Sequence, residues 1–284
     1  MSAAVVLALG PAPAAAQTFS LTQITNTPPA GFFSGFNAEA SINAAGTRIA
    51  FVSNRNLTPG SPGNADGNLE IFLFDTATGL FTQITNTTGG VNERPSIDAG
   101  GTRIAFSSNR NLTPGSPGNA DGNAEIFVFD TATGRITQIT SAIGLLSSFA
   151  PSINADGSRI AFWSQVDLTP GLPGNPDANP EIYLFDASTG RFTQITDNTG
   201  SQFAVAPSIN ADGSRIAFES NGDLTPGNPG NADGNREIFL AIGPSGPASI
   251  PTLSAGMQLA LAALLLLAGL YVLGRAQRSA PPGA

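Results

Sequence analysis

Four side-chain oxygens stand at every second position from residue 64 to residue 70: Asn64, Asp66, Asn68 and Glu70. The series returns as Asn119, Asp121, Asn123 and Glu125, as Asn175, Asp177, Asn179 and Glu181, and as Asn231, Asp233, Asn235 and Glu237. Hard oxygen donors at short spacing suit Ca²⁺. An EF-type loop, however, sets Gly sixth after an Asp and ends in a distant bidentate Glu, and this series does neither. The competing account is structural: Asn and Asp hydrogen-bond their own backbone in tight turns, Gly takes the left-handed corner, and Glu opens a buried strand. Ala178 replaces Gly in the third copy, which the structural account tolerates. A turn is therefore the expectation, with Ca²⁺ the alternative and no cofactor otherwise implied.

Other chemistries are narrowed by what the chain lacks. It has no His and no Cys, so neither a Ser-His-Asp hydrolase nor thiolate chemistry is available. A paired-carboxylate glycosidase stays arithmetically possible, since there are 20 acids. Nearly all of them recur in every copy, whereas an active site breaks repeat symmetry. The acids that do break it, Glu39, Glu93, Asp197 and Glu219, share no spacing. The chain is accordingly expected to be non-enzymatic, with no catalytic residues. All 12 basic residues are Arg, and only 10 of them precede the last apolar segment, against the 20 acids. Such a surface repels phosphate backbones, so nucleic acid is not an expected partner.

The elements behind these residues follow from self-alignment. "RIAF" begins at Arg48, Arg103, Arg159 and Arg215, and "TQIT" at Thr22, Thr82, Thr137 and Thr193. A unit of ~55 residues with Gly-rich corners and several short strands signals a propeller or a β-array. In the third copy the strands read "PSIN", "RIAF", "EIYLF" and "RFTQIT". The third of these is apolar on both faces and needs cover on two sides. The fourth copy ends at "EIFLAIG" with no outer strand, while "LTQIT" at Leu21–Thr25 stands unused before the first copy. The expected fold is all-β: a four-bladed β-propeller closed by that N-terminal strand, which would leave no free edge, with an open or dimer-completed assembly as the alternative. Arg48, Arg103, Arg159 and Arg215 are expected to pair with corner acids such as Asp156 and Asp212.

"PSINADGSRIAF", "EIYLFD" and "TQIT" together resemble the TolB-like, WD40-like propeller repeat of bacterial envelope proteins, over about residues 20 to 243. The resemblance implies a propeller fold. It is weak for function, because such propellers serve as binding platforms, as periplasmic scaffold components and as lids on peptidases.

Each unit exceeds the usual ~40–45-residue blade, and the excess lies between strands two and three, as in Asp223–Asn235. In an up-and-down blade that loop shares a rim with the inter-blade connections. Those connections carry Phe32, Phe33, Phe36, Leu145, Leu146, Phe149 and Phe203. These seven are the candidate ligand-binding residues, for an envelope protein, peptide or glycan. The alternative is that they fold over the loops as satellite cores. Trp163, the lone Trp, is expected to pack or sit at the rim.

The two ends suggest a destination. Residues 1–16 end in Ala14-Ala15-Ala16 and fit a signal peptide, cleaved before Gln17. The repeats then fill 17–243 and a linker 244–252. Residues 253–274 are apolar and uncharged, long enough for a transmembrane helix, and the short tail 275–284 carries Arg275 and Arg278. The positive-inside rule leaves that tail cytoplasmic and the repeats periplasmic or at the cell surface. "IPTLS" (Ile250–Ser254), an apolar helix and terminal arginines resemble the IPTL-type sorting signal, although Ala255-Gly256-Met257 departs from the usual Glu-Trp-Gly. That resemblance implies a sorting protease as partner. The expected function is an exported, membrane-tethered or sorted platform. A structural surface protein or, distantly, a Ca²⁺-dependent carbohydrate enzyme is the alternative.

Overall fold

A computed structural model describes residues 19–27, 35–60, 62–115, 117–171, 173–227 and 230–244. The expected signal peptide, Phe32, Phe33, residues 245–252 of the linker, the expected transmembrane segment and the tail lie outside them. Among the described residues no helix is long and apolar enough to cross a membrane.

The described chain is all β, in four antiparallel sheets taken in sequence order. The first holds β1 (Asn37–Ile42), β2 (Arg48–Ser53), β3 (Glu70–Asp75) and β4 (Leu80–Gln83). The second holds β5 (Asn92–Ile97), β6 (Arg103–Ser108), β7 (Glu125–Asp130) and β8 (Arg135–Gln138). The third holds β9 (Ser148–Ile153), β10 (Arg159–Ser164), β11 (Glu181–Asp186) and β12 (Arg191–Gln194). The fourth has only β13 (Ala204–Ile209), β14 (Arg215–Ser220) and β15 (Glu237–Ile242).

Local chemistry makes each hairpin. In the β3–β4 corner the Asp75 carboxylate accepts from the Ala77 and Thr78 amides and the Thr78 hydroxyl, and Gly79 takes φ 71°. Those bonds hold the Asp75 carboxyl below its ordinary pKa, Thr78 contributing most. Asp130 and Asp186 repeat the arrangement. At the β9–β10 corner, Asn154 Oδ1 accepts from the Arg159 amide, and Gly157 turns the chain at φ 71°.

The innermost strands begin two or three residues earlier than "PSIN" predicts, so Phe149 lies within β9 instead of in the connection before it. Each carries a bulge, which sets Glu39, Arg94, Ala150 and Ala206 at φ 53–56°. Left-handed backbone at a non-glycine residue costs on the order of 1–3 kcal/mol and persists where neighbours over-determine it. Here each bulge turns its strand toward a shared axial cavity of about 410 Å³, bordered by Glu39, Arg94, Ala150 and Ala206.

Packing between successive sheets is the main apolar interior. Ala50, Val52, Ile71 and Leu73 of the first sheet meet Ile104, Phe106, Phe127 and Phe129 of the second. Ala105 and Ile126 meet Ile160, Phe162 and Tyr183. Ala161 and Ile182 meet Ile216 and Phe218. The third strands β7 and β11 are thus apolar on both faces because they are covered on both, as their sequence pattern requires, whereas β15 is largely exposed. Trp163 pairs across the strand with Phe149, with ring centroids 5.0 Å apart, which satisfies the packing expectation.

Closure by the N-terminal strand does not occur in this structure. Leu21–Thr25 forms no ladder with β15; Ile24 and Thr25 border β1 and β2 beside Ile49 and Phe51. Ile84, the equivalent residue after β4, packs into the junction with the second sheet. Ile24 finds the same apolar environment on the first sheet, and the outer edge of β15 is left without a fourth strand among the described residues. The corner arginines match the expectation only in part: Arg159 Nε lies 3.8 Å from the carboxylate of Asp186, its partner across the ladder. Arg48, Arg103 and Arg159 reach across to the next sheet and donate to the carbonyls of Gly101, Gly157 and Gly213 at 2.6, 2.9 and 3.0 Å. Asp156 and Asp212 instead accept from their own corner serines, Ser158 and Ser214.

Candidate functional site

The recurring oxygen series does defined structural work. Asn64 Nδ2 donates to the Asn68 carbonyl, closing its own turn at 2.9 Å, and Asn119, Asn175 and Asn231 do the same. Asp66 Oδ2 accepts from the Gly89 amide in the following connection, as Asp121 does from Gly144 and Asp177 from Gly200. The Glu at the end of the series enters the interior. Glu70 accepts from the Thr87 amide and hydroxyl and from Asn92. Glu125 accepts from the Thr140 hydroxyl and the Ala142 amide, and Glu181 from the Thr196 hydroxyl and Asn198. The first three long loops are therefore stapled to the inter-sheet connection that follows each, and the two do share a rim; in the fourth copy Glu237 is exposed.

Burial pushes the Glu125 and Glu181 carboxyls above the ordinary glutamate value, against the lowering effect of these hydrogen bonds. As Ca²⁺ ligands the series fits poorly, because its carboxylates already accept from protein N–H and O–H groups. The acceptors left buried without a donor are amide oxygens, Oδ1 of Asn64, Asn68, Asn119, Asn123, Asn175 and Asn179. Among the described residues no group of three or more Asp or Glu side chains converges on a point.

Besides a cavity of about 720 Å³ bordered by Ile84, Thr87, Arg110 and Asn119, the rim contains a groove of about 480 Å³ between the second and third sheets. Leu145 and Phe149, both predicted, border it together with Val91, Glu93 and Asp121. Leu145 is 97% exposed, which no satellite core would leave it. Burial raises the Glu93 carboxyl; Arg94 opposes that shift and Glu39 adds slightly to it. The groove thus presents apolar surface beside two carboxyls, Glu93, which takes up a proton more readily than an ordinary glutamate, and Asp121, which accepts from the Gly144 amide.

The other predicted residues divide. Phe36 is partly exposed at the first sheet, its amide donating to Asn54 Oδ1 at 2.8 Å. Phe203 holds the equivalent place at the fourth sheet, donating to Asn221, and its ring lies 5.1 Å under the Arg236 guanidinium, which also pairs with Glu219 at 2.9 Å. Leu146 is half-buried, and its carbonyl accepts from Asn123. The five predicted residues that are described therefore lie along one rim but are spread over different sheets, and among them only Leu145 and Phe149 border this groove.

Sequence reasoning passed over Val91 and left Glu93 without a partner. A column of the repeat alignment carries the missing signal: Ala38, Glu93, Phe149 and Val205 are equivalent, each second in its innermost strand, and face Val52, Ser107, Trp163 and Glu219 across the ladder. This is the position at which the four units differ most in chemistry, and it opens onto the rim.

No family model matches the chain, and no curated protein matches it. Among solved structures the chain is similar to TolB from Acinetobacter baumannii, with 21% identity over 72% of this chain and 41% of that one and a TM-score of 0.47. It is similar to an oligogalacturonate lyase from Vibrio parahaemolyticus, with 16% identity over 71% of this chain and 50% of that one and a TM-score of 0.44. A third is the β-propeller domain of the Trilobed protease from Pyrococcus furiosus, described as having an open velcro topology, with 15% identity over 65% of this chain and 48% of that one and a TM-score of 0.39. The chain spans about half the length of each, or less.

Proposed function

We propose that the chain is a non-enzymatic, exported binding platform of the cell envelope, of β-propeller type, tethered or sorted through residues 250–278. Its occupied site is the rim groove between the second and third sheets, and its partner is an extended peptide segment of an envelope protein. The observation that carries this reading is the exposed Leu145 beside the Phe149–Trp163 stack and Glu93. Apolar anchors with a few hydrogen-bonding carboxyls are the composition of a peptide-binding groove, in which an aliphatic or aromatic side chain supplies affinity and a polar contact sets orientation. Of its two carboxyls, Asp121 already accepts from the Gly144 amide, which leaves Glu93 for a partner. The calcium-dependent carbohydrate enzyme is disfavoured by carboxylates already held by backbone amides. Export and tethering rest on the sequence of the two termini.

The test is binding of the full chain to a display library of extended peptides, followed by affinity measurement on the best sequences. Leu145→Ser and Phe149→Ala each lower affinity by ~10-fold or more, the scale of a buried anchor at an interface. A peptide selected on the wild-type chain that binds both variants unchanged places the site elsewhere. Sugar cleavage abolished by chelator would instead establish the enzyme.

A further inference from the structure

The joint between neighbouring sheets is built three times from one set of parts. In each, a corner Arg donates to the next sheet's corner Gly carbonyl, as Arg103 does to Gly157. An Ala amide donates to the equivalent Ala carbonyl one sheet on: Ala44 to Ala99, Ala99 to Ala155 and Ala155 to Ala211, at 3.2, 3.0 and 3.1 Å. An inner-strand Ser oxygen accepts from the next sheet's Ile amide: Ser41 from Ile97, Ser96 from Ile153 and Ser152 from Ile209, each at 3.1 Å. The apolar face of one sheet then covers the aromatic face of the next.

The fourth sheet, the last among the described residues, holds one half of this set. Ser208 is exposed, and Arg215 has no following Gly carbonyl to reach among the described residues. Ile238 and Leu240, which repeat Ile182 and Leu184, are 73% and 57% exposed, whereas Ile71, Ile126 and Ile182 are all at 0%. The first sheet holds the other half. Ile42 is exposed, and a Cβ at Gly46 would meet nothing nearer than 3.9 Å, while Gly101, Gly157 and Gly213 are each pressed by the preceding Arg to within 3 Å. Beside β1 and β2 an open apolar cavity of about 230 Å³ is bordered by Ile24, Ile49 and Phe51.

We propose that these two halves join between copies of this chain, the fourth sheet of one docking on the first sheet of the next, head to tail. The occupant is a second copy because the complementary surface is one this chain already makes three times. Within one chain the two halves are both exposed, so they do not serve each other. The segment Thr22–Thr27 of the incoming copy supplies what β15 lacks. It is identical in sequence to Thr82–Thr87, in which Thr85 Oγ1 accepts from the Ile71 amide and Thr87 from its hydroxyl and amide serves Glu70. In the joint Thr25 accepts from the Ile238 amide and Thr27 donates to Glu237. A head-to-tail contact of this kind closes as a ring or runs on as a filament, according to the rotation it imposes.

The chain has no Cys, so introduced pairs report without background. The full chain is purified in a mild detergent as three variants, Ala44→Cys, Ala211→Cys and the double variant, with Ala99→Cys/Ala155→Cys as a control that closes an existing joint internally. On oxidation, a mixture of the two single variants gives a disulfide-linked heterodimer. Light scattering gives the wild-type chain at least twice the mass of a Leu240→Arg chain, in which an exposed position is changed and the fold is kept. An internally closed monomer from the double variant overturns the proposal in favour of closure within one chain. Absence of any cross-link while the control closes overturns it outright.

Discussion

The third and fourth sheets carry nearly the same sequence and lead different lives. Their third strands, "EIYLFD" and "EIFLAI", start with the same Glu-Ile pair. In β11 Glu181 and Ile182 are completely buried; in β15 Glu237 and Ile238 are exposed. What differs is the neighbour. Glu181 receives Thr196 and Asn198 from the connection to the fourth sheet, and Ile182 is covered by Ile216 and Phe218. No such connection follows β15 among the described residues. Burial, and with it the energetic weight of a side chain, is here a property of the joint and not of the residue or its strand.

That contrast can be broken by paired substitutions. The largest effect is at the apolar position. Ile182→Ala removes a buried side chain from a closed joint and costs about 2–5 kcal/mol, whereas Ile238→Ala costs within ~0.5 kcal/mol in the dilute, unassociated chain. Urea unfolding of the two variants measures both. A comparable loss at Ile238 would show that β15 is covered in solution.

The carboxylates sharpen the comparison next, through pH. Burial raises the Glu181 carboxyl above the value it has in the unfolded chain. Such a group favours the folded state while protonated, and that contribution fades as pH rises through the raised pKa. Glu181→Gln removes the titration, so its stability relative to the wild type climbs between pH 4 and pH 7. The check is the difference in unfolding midpoint at several pH values. A flat difference for Glu181→Gln would mean that its hydrogen bonds from Thr196 and Asn198 fully offset burial.

The smallest effect is at the corners. Gly46 and Gly213 both hold positive φ, 68° and 72°, so Ala at either carries a similar left-handed penalty of about 1 kcal/mol. At Gly213 the new Cβ also lies 2.6 Å from Arg159 Cδ, whereas at Gly46 it meets open space. Gly213→Ala is therefore the more destabilising of the two, and thermal unfolding of both variants reads the difference. Equal losses would show that the Arg side chain yields at no cost.

Much of this could be read from residue order. The repeat, the four-strand unit, the Asp-Gly and Asp-x-x-x-Gly corners and the two-faced third strand all follow from patterns a few residues long. Their physical causes, turn hydrogen bonds and side-chain alternation, act over the same short distance. The rim was legible for the same reason: up-and-down topology alone puts the long loop and the connection on one side, and Asp66, Asp121 and Asp177 then bond across it.

What the order of residues left open was decided between sheets. The arginine of each corner faces a carbonyl some 54 residues on, where its own corner's acids seemed the nearer partners. Glu93 and Phe149 meet in one groove only because successive inner strands bulge toward a common axis. Whether four units close on themselves depends on the rotation from each sheet to the next, which is set by how whole apolar faces interdigitate and by the strained residues at the four bulges. No short motif encodes that angle, and so the chain's own sequence determined the strands of each sheet, while the packing of one sheet on another decided which edges are paired and which, as at β15, stay open among the described residues.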